Sequence, residues 1–507
     1  MDHFKTQKGK KLLLSPGQAI KLVLVLVLIF FKGDFFIYVY YVLFIAYVLE
    51  VGFFAYNFFG KLLKRPKWTK KTIFLFLVSC AFFGMFAIVA SGQNNQNQVF
   101  WILIADILTF AVISLLILLF QPFFVIARNL ILRKAKEQME KIKSVSGLTV
   151  IAVTGSYGKT STKEFLTTIL SKKFKVLATK EHQNSEIGVA RTVLNELKPS
   201  HQIFIAEVGA YNKGKVKQVC QIIQPRIGVV TGVNEQHMAL FGSMENLLSA
   251  EGGGELLEML PEDGTIFVNG ENNHCLNLIK QSAKLPPERE KIYALSNKVV
   301  GADIWAEAID VKKESVSFVA TDKTGNLANF EASVLGGHNV QNLLGAMLIA
   351  SEFGMSFGEI SEALREIKPA QSGMVLKHGK HGINVVDSSY SANPDGAMAD
   401  MEYLKVFPGK RVLVMPCLIE LGKESKKIHV ELGKKIAEIC DLAIITTKDK
   451  FKEIQQGFNS DILENKRILL CKNPQDIYST VTSFCKAGDA VLLEGRVPSH
   501  LIKLLSE

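Results

Sequence analysis

The sequence predicts an N-terminal α-helical membrane segment followed by two α/β domains. The first is a P-loop-type central domain with a mostly parallel sheet, and the second is a smaller Rossmann-like C-terminal domain. Three observations indicate this: residues 1–147 are apolar and basic, a glycine-rich loop follows a β-branched run, and strand-length apolar runs then alternate with helical patterns. We expect domains at 1–147, 148–365 and 366–507.

Charge is divided unequally along the 507 residues. Residues 1–147 hold 18 Lys and Arg against 6 Asp and Glu, together with 20 of the 33 Phe, whereas residues 148–507 have a net charge of −1. The basic character belongs to the apolar segment, so we expect no nucleic-acid partner. Seven scattered Cys without a CxxC pair indicate reduced, buried thiols, with neither a zinc site nor a disulfide framework.

Four N-terminal segments have the apolar composition of membrane-spanning helices. Residues 35–59, 72–91 and 99–120 are each long enough to cross the hydrocarbon core. Residues 12–31 are a fourth segment, for which a cleaved signal peptide is the alternative. Cations cluster before the first segment, between the second and third, and after the fourth. The positive-inside rule then predicts a multi-pass cell-membrane protein with both termini and the α/β domains in the cytoplasm. If the first segment only dips into the membrane, the N-terminus moves outside.

Two charged features belong to this region. Asp106 lies in the last span near its outer end, where we expect it to face water; a functional intramembrane charge is the alternative. Residues 125–143 are predicted to form a basic helix at the inner surface that is attracted to membrane lipids, or else a solvated linker.

A phosphate-binding loop begins the α/β part. The apolar run Leu148–Val153 leads into the loop, and a helical pattern follows it. Glycines let backbone N–H groups approach phosphate oxygens, the helix N-terminus adds a positive dipole, Lys159 neutralises phosphate charge, and Thr160 is placed to bind Mg²⁺. This context predicts nucleotide binding. The loop residues are Gly155, Ser156, Tyr157, Gly158, Lys159, Thr160 and Ser161.

Carboxylates also follow predicted strands. Glu207 follows the apolar run at 203–206, and Asp387 ends the run at 383–386. Open α/β sheets bind ligands at the carboxyl ends of their strands, so we favour a metal-binding role for Glu207 over a solvated loop position. His237, Asn342 and His429 taken singly are also compatible with structural roles.

Taken together, the motifs resemble those of the MurF branch of the Mur ligase family, in family order over residues 148–507. The loop resembles its ATP-binding signature, and Gly337–Asn342 resembles its adenine-side HNxxN motif. Asp387–Pro394 is similar to its DSYNANP motif. The other matching segments are Thr179–Val189, Glu207–Ala210, Thr231–Ser243 and Glu420–Gly422 with His429.

The resemblance implies an enzyme that uses ATP and Mg²⁺ to join an acid to an amine through an acyl phosphate. In this branch the partners are D-alanyl-D-alanine and the UDP-N-acetylmuramoyl tripeptide of the cell wall. The implied catalytic residues are Lys159, Glu207 and His237; the implied metal ligands are Thr160, Glu207 and His237. The loop, Asn342 and Asp387 are implied nucleotide contacts. The implied substrate-binding residues are Asn184, Glu186, Tyr390, Asn393 and Pro394.

Two departures concern substrate and phosphate binding. Predicted membrane segments stand where the family has the domain that holds the UDP-linked sugar, so the sequence leaves open whether the substrate is UDP- or lipid-linked. Gly373 stands where the family has an arginine that reaches the ATP phosphates. Lys377 or Lys380 is the replacement that we consider for this cation.

A third departure concerns the second metal ion. Gly253 stands where the family has a carbamylated lysine that holds a second Mg²⁺. Three successive glycines make local unwinding of a helix cheap. We therefore expect a non-helical Gly252–Gly254 segment, with Glu251 or Glu255 near His237 in the place of the lysine.

Three functions remain open at this stage. The leading one is a membrane-anchored ligase that adds an amino acid or dipeptide to a cell-wall precursor. The second is a membrane-bound ligase for another acid, such as a poly-γ-glutamate-type polymer. The third is a nucleotide-binding scaffold with weakened catalysis, which the glycines at 253 and 373 favour. The sequence leaves the oligomeric state open.

Overall fold

The computed structural model divides the chain into two compact units. One is Met1–Arg128 and the other is Asn129–Glu507, which contains both α/β domains. The residues that the structure describes are 16–30, 35–59, 68–92, 95–180, 183–282, 284–390, 392–458 and 467–506.

The first unit is helical. Its helices are α1 (Pro16–Phe30), α2 (Phe35–Phe59), α3 (Lys70–Ser91) and the start of α4 (Asn95–Ser146). Within the described residues, α1 has 15 residues, fewer than the roughly 20 that a span needs. The lysines at 5, 8, 10, 11, 61, 64 and 67 and Arg65, on which the predicted orientation partly rests, lie outside the described residues. Three described helical stretches are long and apolar enough to cross a membrane, namely Ile37–Tyr56, Thr72–Val89 and Ile113–Ser146, and Phe100–Thr109 is a shorter apolar one.

Asp106 is part of a polar cluster, which the sequence did not predict, while its own side chain stays 38% exposed. The Lys21 ammonium donates to Asp106 at 2.6 Å and to Glu50 at 3.0 Å. The Tyr47 hydroxyl also donates to Asp106, at 2.9 Å. The Lys21 side chain is only 8% exposed, so both carboxylates compensate a nearly buried cation. The cluster therefore links α1, α2 and α4.

The basic end of α4 belongs to the second unit, where one of its faces is buried, so it is not the solvated linker that was the alternative prediction. Leu132, Ala135, Met139 and Ile142 recur at helical spacing and are buried in the core beneath the first sheet. The Gln138 side chain donates to the Val193 carbonyl at 3.0 Å. This stretch therefore starts the α/β body, because its apolar stripe is covered by that body.

The central domain is built on a nine-stranded sheet of order β2-β3-β1-β4-β5-β6-β7-β8-β9. Neighbours from β2 to β7 pair in parallel, and β7, β8 and β9 pair antiparallel. This confirms the predicted mostly parallel sheet, to which β8 and β9 add two antiparallel strands. The strands are β1 (Thr149–Thr154), β2 (Val176–Ala178), β3 (Ile203–Glu207), β4 (Ile227–Val230), β5 (Thr265–Asn269), β6 (Glu290–Ala294), β7 (Ile304–Val311), β8 (Val316–Asp322) and β9 (Leu327–Ala332).

Helices cover both faces of this sheet and bury two apolar clusters. The strands of the parallel part are continuous apolar runs because both of their faces are covered. The helices are α5 (Lys159–Leu170), α6 (Glu186–Asn195), α7 (Lys215–Ile223), α8 (Met238–Phe241), α9 (Met244–Ser249), α10 (Gly254–Met259), α11 (Asn273–Lys280), α12 (His338–Glu352) and α13 (Phe357–Leu364).

The C-terminal domain has a six-stranded sheet of order β10-β11-β15-β12-β13-β14. Only the β10–β11 pair is antiparallel, and apolar clusters fill both faces. The smaller Rossmann-like domain is thus confirmed as α/β. Its strands are β10 (Val375–His378), β11 (Asn384–Ser388), β12 (Arg411–Met415), β13 (Leu442–Ile445), β14 (Arg467–Leu470) and β15 (Ala490–Glu494), and its helices are α14 (Pro394–Tyr403), α15 (Ser425–Ile439), α16 (Phe451–Gly457), α17 (Pro474–Phe484) and α18 (Ser499–Ser506).

Candidate functional site

A cavity of about 450 Å³ lies between the glycine-rich loop and the C-terminal domain. Both domains belong to the second unit and contribute walls. The central domain supplies the loop residues 156–161 with Glu164, His338, Gln341 and Asn342. The remaining lining residues are Ala370, Gln371, Ser372, Gly373, Met374, Ser388, Tyr390, Asn393, Asp395, Gly396, Ala399, Asp400 and Glu494.

The loop follows β1, where the order of the parallel strands reverses. β1 lies between β3 and β4. After β1 the chain forms β2 and β3 on one side of it and then crosses to form β4 on the other side. Such switch points open the crevice in which α/β sheets bind ligands. Gly158 has φ +75°, and a Cβ there would lie 2.6 Å from the Asn342 Oδ1 atom. Position 158 therefore requires glycine, and because glycine has no side chain, Asn342 can lie directly against the loop.

Lys159 is the first residue of α5, at the positive end of that helix. Its ammonium donates to the Gly155 carbonyl and, at 3.2 Å, to the Ser156 carbonyl. Among the lining residues that the structure describes, it is the one lysine or arginine side chain. A phosphate group bound in this cavity would therefore pair with the Lys159 ammonium.

Glu207 ends β3 and is 3% exposed. Its carboxylate accepts from the Thr160 hydroxyl and from the Asn184 amide, each at 3.1 Å. The buried Lys163 ammonium lies 3.5 Å from the same carboxylate. The structure thus brings together Thr160, Asn184 and Glu207, which the sequence placed on separate elements. A hydroxyl and a carboxylate are oxygen ligands of the kind that Mg²⁺ prefers.

His237 lies beside a buried carboxylate, as predicted. Its Nδ1 atom is 3.0 and 3.1 Å from the two oxygens of Glu251, which is 1% exposed. The Ser156 hydroxyl of the glycine-rich loop donates to Glu251 at 3.2 Å. The other ring nitrogen of His237 lies 3.8 Å from the Glu420 carboxylate of the C-terminal domain. Glu251 therefore connects the histidine to the phosphate-binding loop.

The glycine segment beside this pair is non-helical at Gly252 and Gly253, while Gly254 begins α10. Gly253 has φ +90°, and a Cβ there would lie 2.5 Å from Val230 Cγ2. A side chain at 253 would point into the core, so this position cannot present a lysine. Glu255, the other predicted replacement, accepts from the backbone N–H groups of Gly214 and Lys217 and lies at the start of α7 instead.

Hydrogen bonds join the histidine segment to the C-terminal domain. The Asn234 amide donates to Asp395 at 2.8 Å and to Asn393 at 3.2 Å. Asn393 also caps α14 by accepting from the Gly396 N–H. The Ala239 N–H donates to the Glu420 carbonyl at 2.9 Å. The two domains thus close around the cavity through main-chain and side-chain contacts.

Several predicted residues lie outside the cavity lining. Asp387 accepts from the Lys377 ammonium at 2.7 Å. Burial favours the neutral carboxyl, but hydrogen bonds from Lys377 and Ser389 outweigh it and hold the pKa of Asp387 below its usual value. Since Lys377 is engaged there and Lys380 lies over the Tyr478 ring, neither lysine lines the cavity beside Gly373.

The remaining predicted residues divide between the cavity and its surroundings. Tyr390 and Asn393 line the cavity, and Pro394 is the buried first residue of α14. Glu186 forms an ion pair with Lys215 at 2.8 Å, away from the lining. His429 is fully buried, where its Nε2 accepts from the Leu418 N–H, so it positions a loop of the C-terminal domain.

Sequence reasoning missed a group of polar residues on the C-terminal wall. Ser388, Asp400 and Glu494 line the cavity together with His338 of the central domain. Glu494 ends the buried strand β15, and its register partner Ser388 ends β11. A carboxylate directly after an apolar run was the available signal for Glu494, as it was for Glu207. Asp400 carried no such signal in the sequence, because an acidic residue within a helix is usually solvated.

The fold and the cavity define a P-loop α/β nucleotide-binding protein with two domains around one site. Sequence profiles identify the family. The Mur ligase middle domain matches residues 153–350, and the "Mur ligase, glutamate ligase domain" matches residues 374–497. The two matches together cover more than half of the chain. The chain belongs to the Mur ligase family, whose members are ATP-dependent carboxylate–amine ligases.

Two relatives of this chain carry the same name. The UDP-N-acetylmuramoyl-tripeptide–D-alanyl-D-alanine ligase of Escherichia coli is 30% identical over 285 residues, which are 56% of this chain and 61% of that protein. The Bacillus subtilis ligase of the same name is 25% identical over 354 residues, 69% of this chain and 73% of that one. The chain thus spans about three fifths to three quarters of the length of these relatives.

Solved structures share the fold. MurF from Acinetobacter baumannii has a TM-score of 0.66 at 23% identity, covering 74% of this chain and 80% of that one. MurF from Thermotoga maritima in complex with ADP has a TM-score of 0.64 at 23% identity, covering 74% and 83%.

Proposed function

We propose that this protein is an ATP-dependent ligase that joins D-alanyl-D-alanine, or a similar amine, to a muramyl-tripeptide-type cell-wall precursor. The observation that carries the proposal is that the loop lining the cavity contacts both acidic groups. Its Thr160 hydroxyl donates to Glu207, and its Ser156 hydroxyl donates to Glu251, which lies beside His237. The names of the relatives supply the substrates.

The reaction needs a good electrophile, because a carboxylate resists attack by an amine. A substrate carboxylate oxygen attacks the γ-phosphorus of ATP, and ADP leaves. The amine nitrogen, once it has lost its proton, attacks the acyl carbon; phosphate leaves and the amide bond remains. The protein aligns these groups and stabilises the phosphoryl charge.

Different residues of the chain perform different parts of this task. Lys159 stabilises negative charge on the terminal phosphate, and the N–H groups at the start of α5 add the helix dipole. Thr160 and Glu207 would hold Mg²⁺, which when bound neutralises phosphate charge. Glu251 and His237 would contribute the negative charge and the nitrogen ligand for a second ion.

Purified full-length protein in detergent tests the proposal through phosphate release. We expect release with ATP, Mg²⁺, UDP-N-acetylmuramoyl tripeptide and D-alanyl-D-alanine together, and none when either acceptor or amine is omitted. Lys159→Ala should abolish it, while Lys452→Ala, an exposed lysine on α16, should not. ATP binding without release for these substrates or a γ-glutamate acid would favour the scaffold alternative.

We further propose that the ligase body is held at the cytoplasmic face of the cell membrane. Three apolar helices of spanning length and the cations that flank them support this. A reporter fused after Glu507 should behave as cytoplasmic, and one inserted at Asn95 as external. The reverse pattern would contradict the orientation, and recovery of the protein without detergent would contradict the anchor.

A further inference from the structure

A fully buried lysine follows the phosphate-binding loop in α5. Lys163 lies one helical turn after Thr160, and its side chain is 0% exposed. Its ammonium donates to the Thr179 carbonyl at 2.9 Å and lies 3.0 Å from the Glu164 carboxylate and 3.5 Å from the Glu207 carboxylate. Lysines are rarely buried to this extent unless they are paired. Lys163 is not one of the residues that line the cavity, so a ligand there does not explain its charge.

The carboxylate of Glu207 is held from several sides. One oxygen accepts from the Thr160 hydroxyl at 3.1 Å and lies 3.5 Å from the Lys163 ammonium. The other oxygen accepts from the Asn184 amide at 3.1 Å. The Glu207 N–H donates to the Thr179 hydroxyl oxygen at 2.9 Å, and the carbonyl of the same threonine accepts from Lys163. Lys163 therefore contacts Glu207 directly and also fixes the residue that holds its main chain.

The charges of this group leave room for a cation. Lys163 carries one positive charge, whereas Glu164 and Glu207 carry one negative charge each, so the three side chains together are negative. Glu164 lines the cavity, which places part of this charge beside the phosphate-binding loop. A buried ion pair contributes little net stability, because desolvation of both groups offsets their attraction. The main consequence of the Lys163–Glu207 pair is therefore geometric, since the carboxylate keeps one orientation.

We propose that Lys163 is a positioning residue that orients the Glu207 carboxylate toward Thr160, so that the carboxylate and the hydroxyl together bind the Mg²⁺ of a nucleoside triphosphate. The inference rests on the proposed function, since it concerns the metal ion of that reaction. Residues three apart on a helix lie on the same face, so one turn of α5 supplies both the hydroxyl ligand and the cation that orients the carboxylate. In this role Lys163 contacts neither the nucleotide nor the metal ion.

Binding of a fluorescent, non-hydrolysable ATP analogue to the full-length protein in detergent tests this. The measured quantity is the Mg²⁺ concentration at which the analogue reaches half of its metal-dependent gain in affinity. Lys163→Met keeps an unbranched chain of similar volume and removes the charge. We expect it to raise that concentration by roughly tenfold, the scale that one interaction with a charged group contributes. The affinity measured in EDTA should change less, because no metal ion is then bound.

Two variants control for effects on folding. Lys173→Met is the matched substitution, because the Lys173 ammonium also donates to a carbonyl, that of Gly354, and lies 3.6 Å from the Glu359 carboxylate. It should keep the Mg²⁺ requirement of the wild type. Lys163→Gln retains an N–H donor for the Thr179 carbonyl but lacks the charge. It should raise the Mg²⁺ requirement as Lys163→Met does, and it replaces that variant if Lys163→Met does not fold.

A double-mutant cycle shows whether Lys163 acts through Glu207. Glu207→Gln should itself raise the Mg²⁺ requirement, because it removes a carboxylate ligand. Adding Lys163→Met to it should raise the requirement little further, since the carboxylate that Lys163 orients is already gone. Effects of the two substitutions that multiply would show that Lys163 acts independently of Glu207 and would overturn the inference.

The outcomes separate this inference from the ligase proposal. An unchanged Mg²⁺ requirement in Lys163→Met would overturn the inference even if phosphate release proceeds, and a lower one would do so by showing that the ammonium competes with the ion. Analogue binding by the wild type that does not respond to Mg²⁺ would also overturn it. A higher requirement in Lys163→Met but not in Lys173→Met, without phosphate release for any acid, would support the inference and remove the ligase proposal.

Discussion

Glu251 offers the sharpest test of how this chain departs from its family. Its carboxylate is buried, lies 3.0 Å from His237 Nδ1 and accepts from the loop residue Ser156 at 3.2 Å. Glu251→Gln keeps the volume and removes the charge. Hydrogen bonds to charged groups contribute about 1.5–3 kcal/mol, and about 1.4 kcal/mol corresponds to a factor of ten in rate. We therefore expect phosphate release to fall roughly 10- to 100-fold, and the Mg²⁺ concentration for half-maximal release to rise.

The matched control is Glu255→Gln, four residues further along. Its carboxylate accepts from backbone N–H groups at the start of α7, whereas the carboxylate beside His237 is Glu251. The substitution should therefore lower thermal stability and leave the Mg²⁺ requirement unchanged. Wild-type turnover should also be independent of added bicarbonate, since a carboxylate side chain needs no carbamylation. Normal turnover of Glu251→Gln at low Mg²⁺, or a bicarbonate requirement in the wild type, would refute the reasoning.

Three further substitutions test the loop and the C-terminal domain. Lys159→Ala should lose nucleotide affinity but keep its unfolding temperature, because this lysine lines the cavity; unchanged ATP binding would contradict its role. Gly158→Ala should lose both affinity and stability, since it forces a Cβ to within 2.6 Å of Asn342 in a left-handed conformation; wild-type binding would show that the loop can shift. Lys377→Met should lower stability by about 1 kcal/mol at neutral pH. Because Lys377 holds the pKa of Asp387 below its usual value, the wild type loses this stability only as the pH falls below about 4, so the difference in unfolding free energy should shrink there and persist above it.

The order of elements in the two α/β domains could be predicted from local pattern. The predicted strands at 148–153, 203–206 and 383–386 each overlap an observed strand, because strands buried on both faces are continuous apolar runs. The glycine-rich loop could be predicted for a related reason, since backbone approach to phosphate demands glycines at fixed spacing. The residue that stands in for the family lysine could be narrowed to Glu251 or Glu255 by charge alone.

The residues around α4 and the cavity show what local pattern left undecided. The basic helix at 125–143 has apolar positions at helical spacing, which suit a lipid surface and a protein core equally well, and only the position of β1 and α6 decided for the core. Sequence spacing likewise could not place Asp400 and Glu494 on one cavity wall, because 94 residues separate them. Their common neighbour is Ser388, which pairs with Glu494 in the β11–β15 register and donates its hydroxyl to Asp400.

The sequence by itself determined the α/β class of residues 148–507, the position of the glycine-rich loop and the family to which the chain belongs, because these depend on residue type and short spacing. The tertiary structure alone decided which carboxylate serves His237, that Lys377 pairs with Asp387 away from the cavity, and that two acids share the opposite wall. These are contacts between distant elements, and their geometry follows from sheet order and domain closure, which local propensity does not encode.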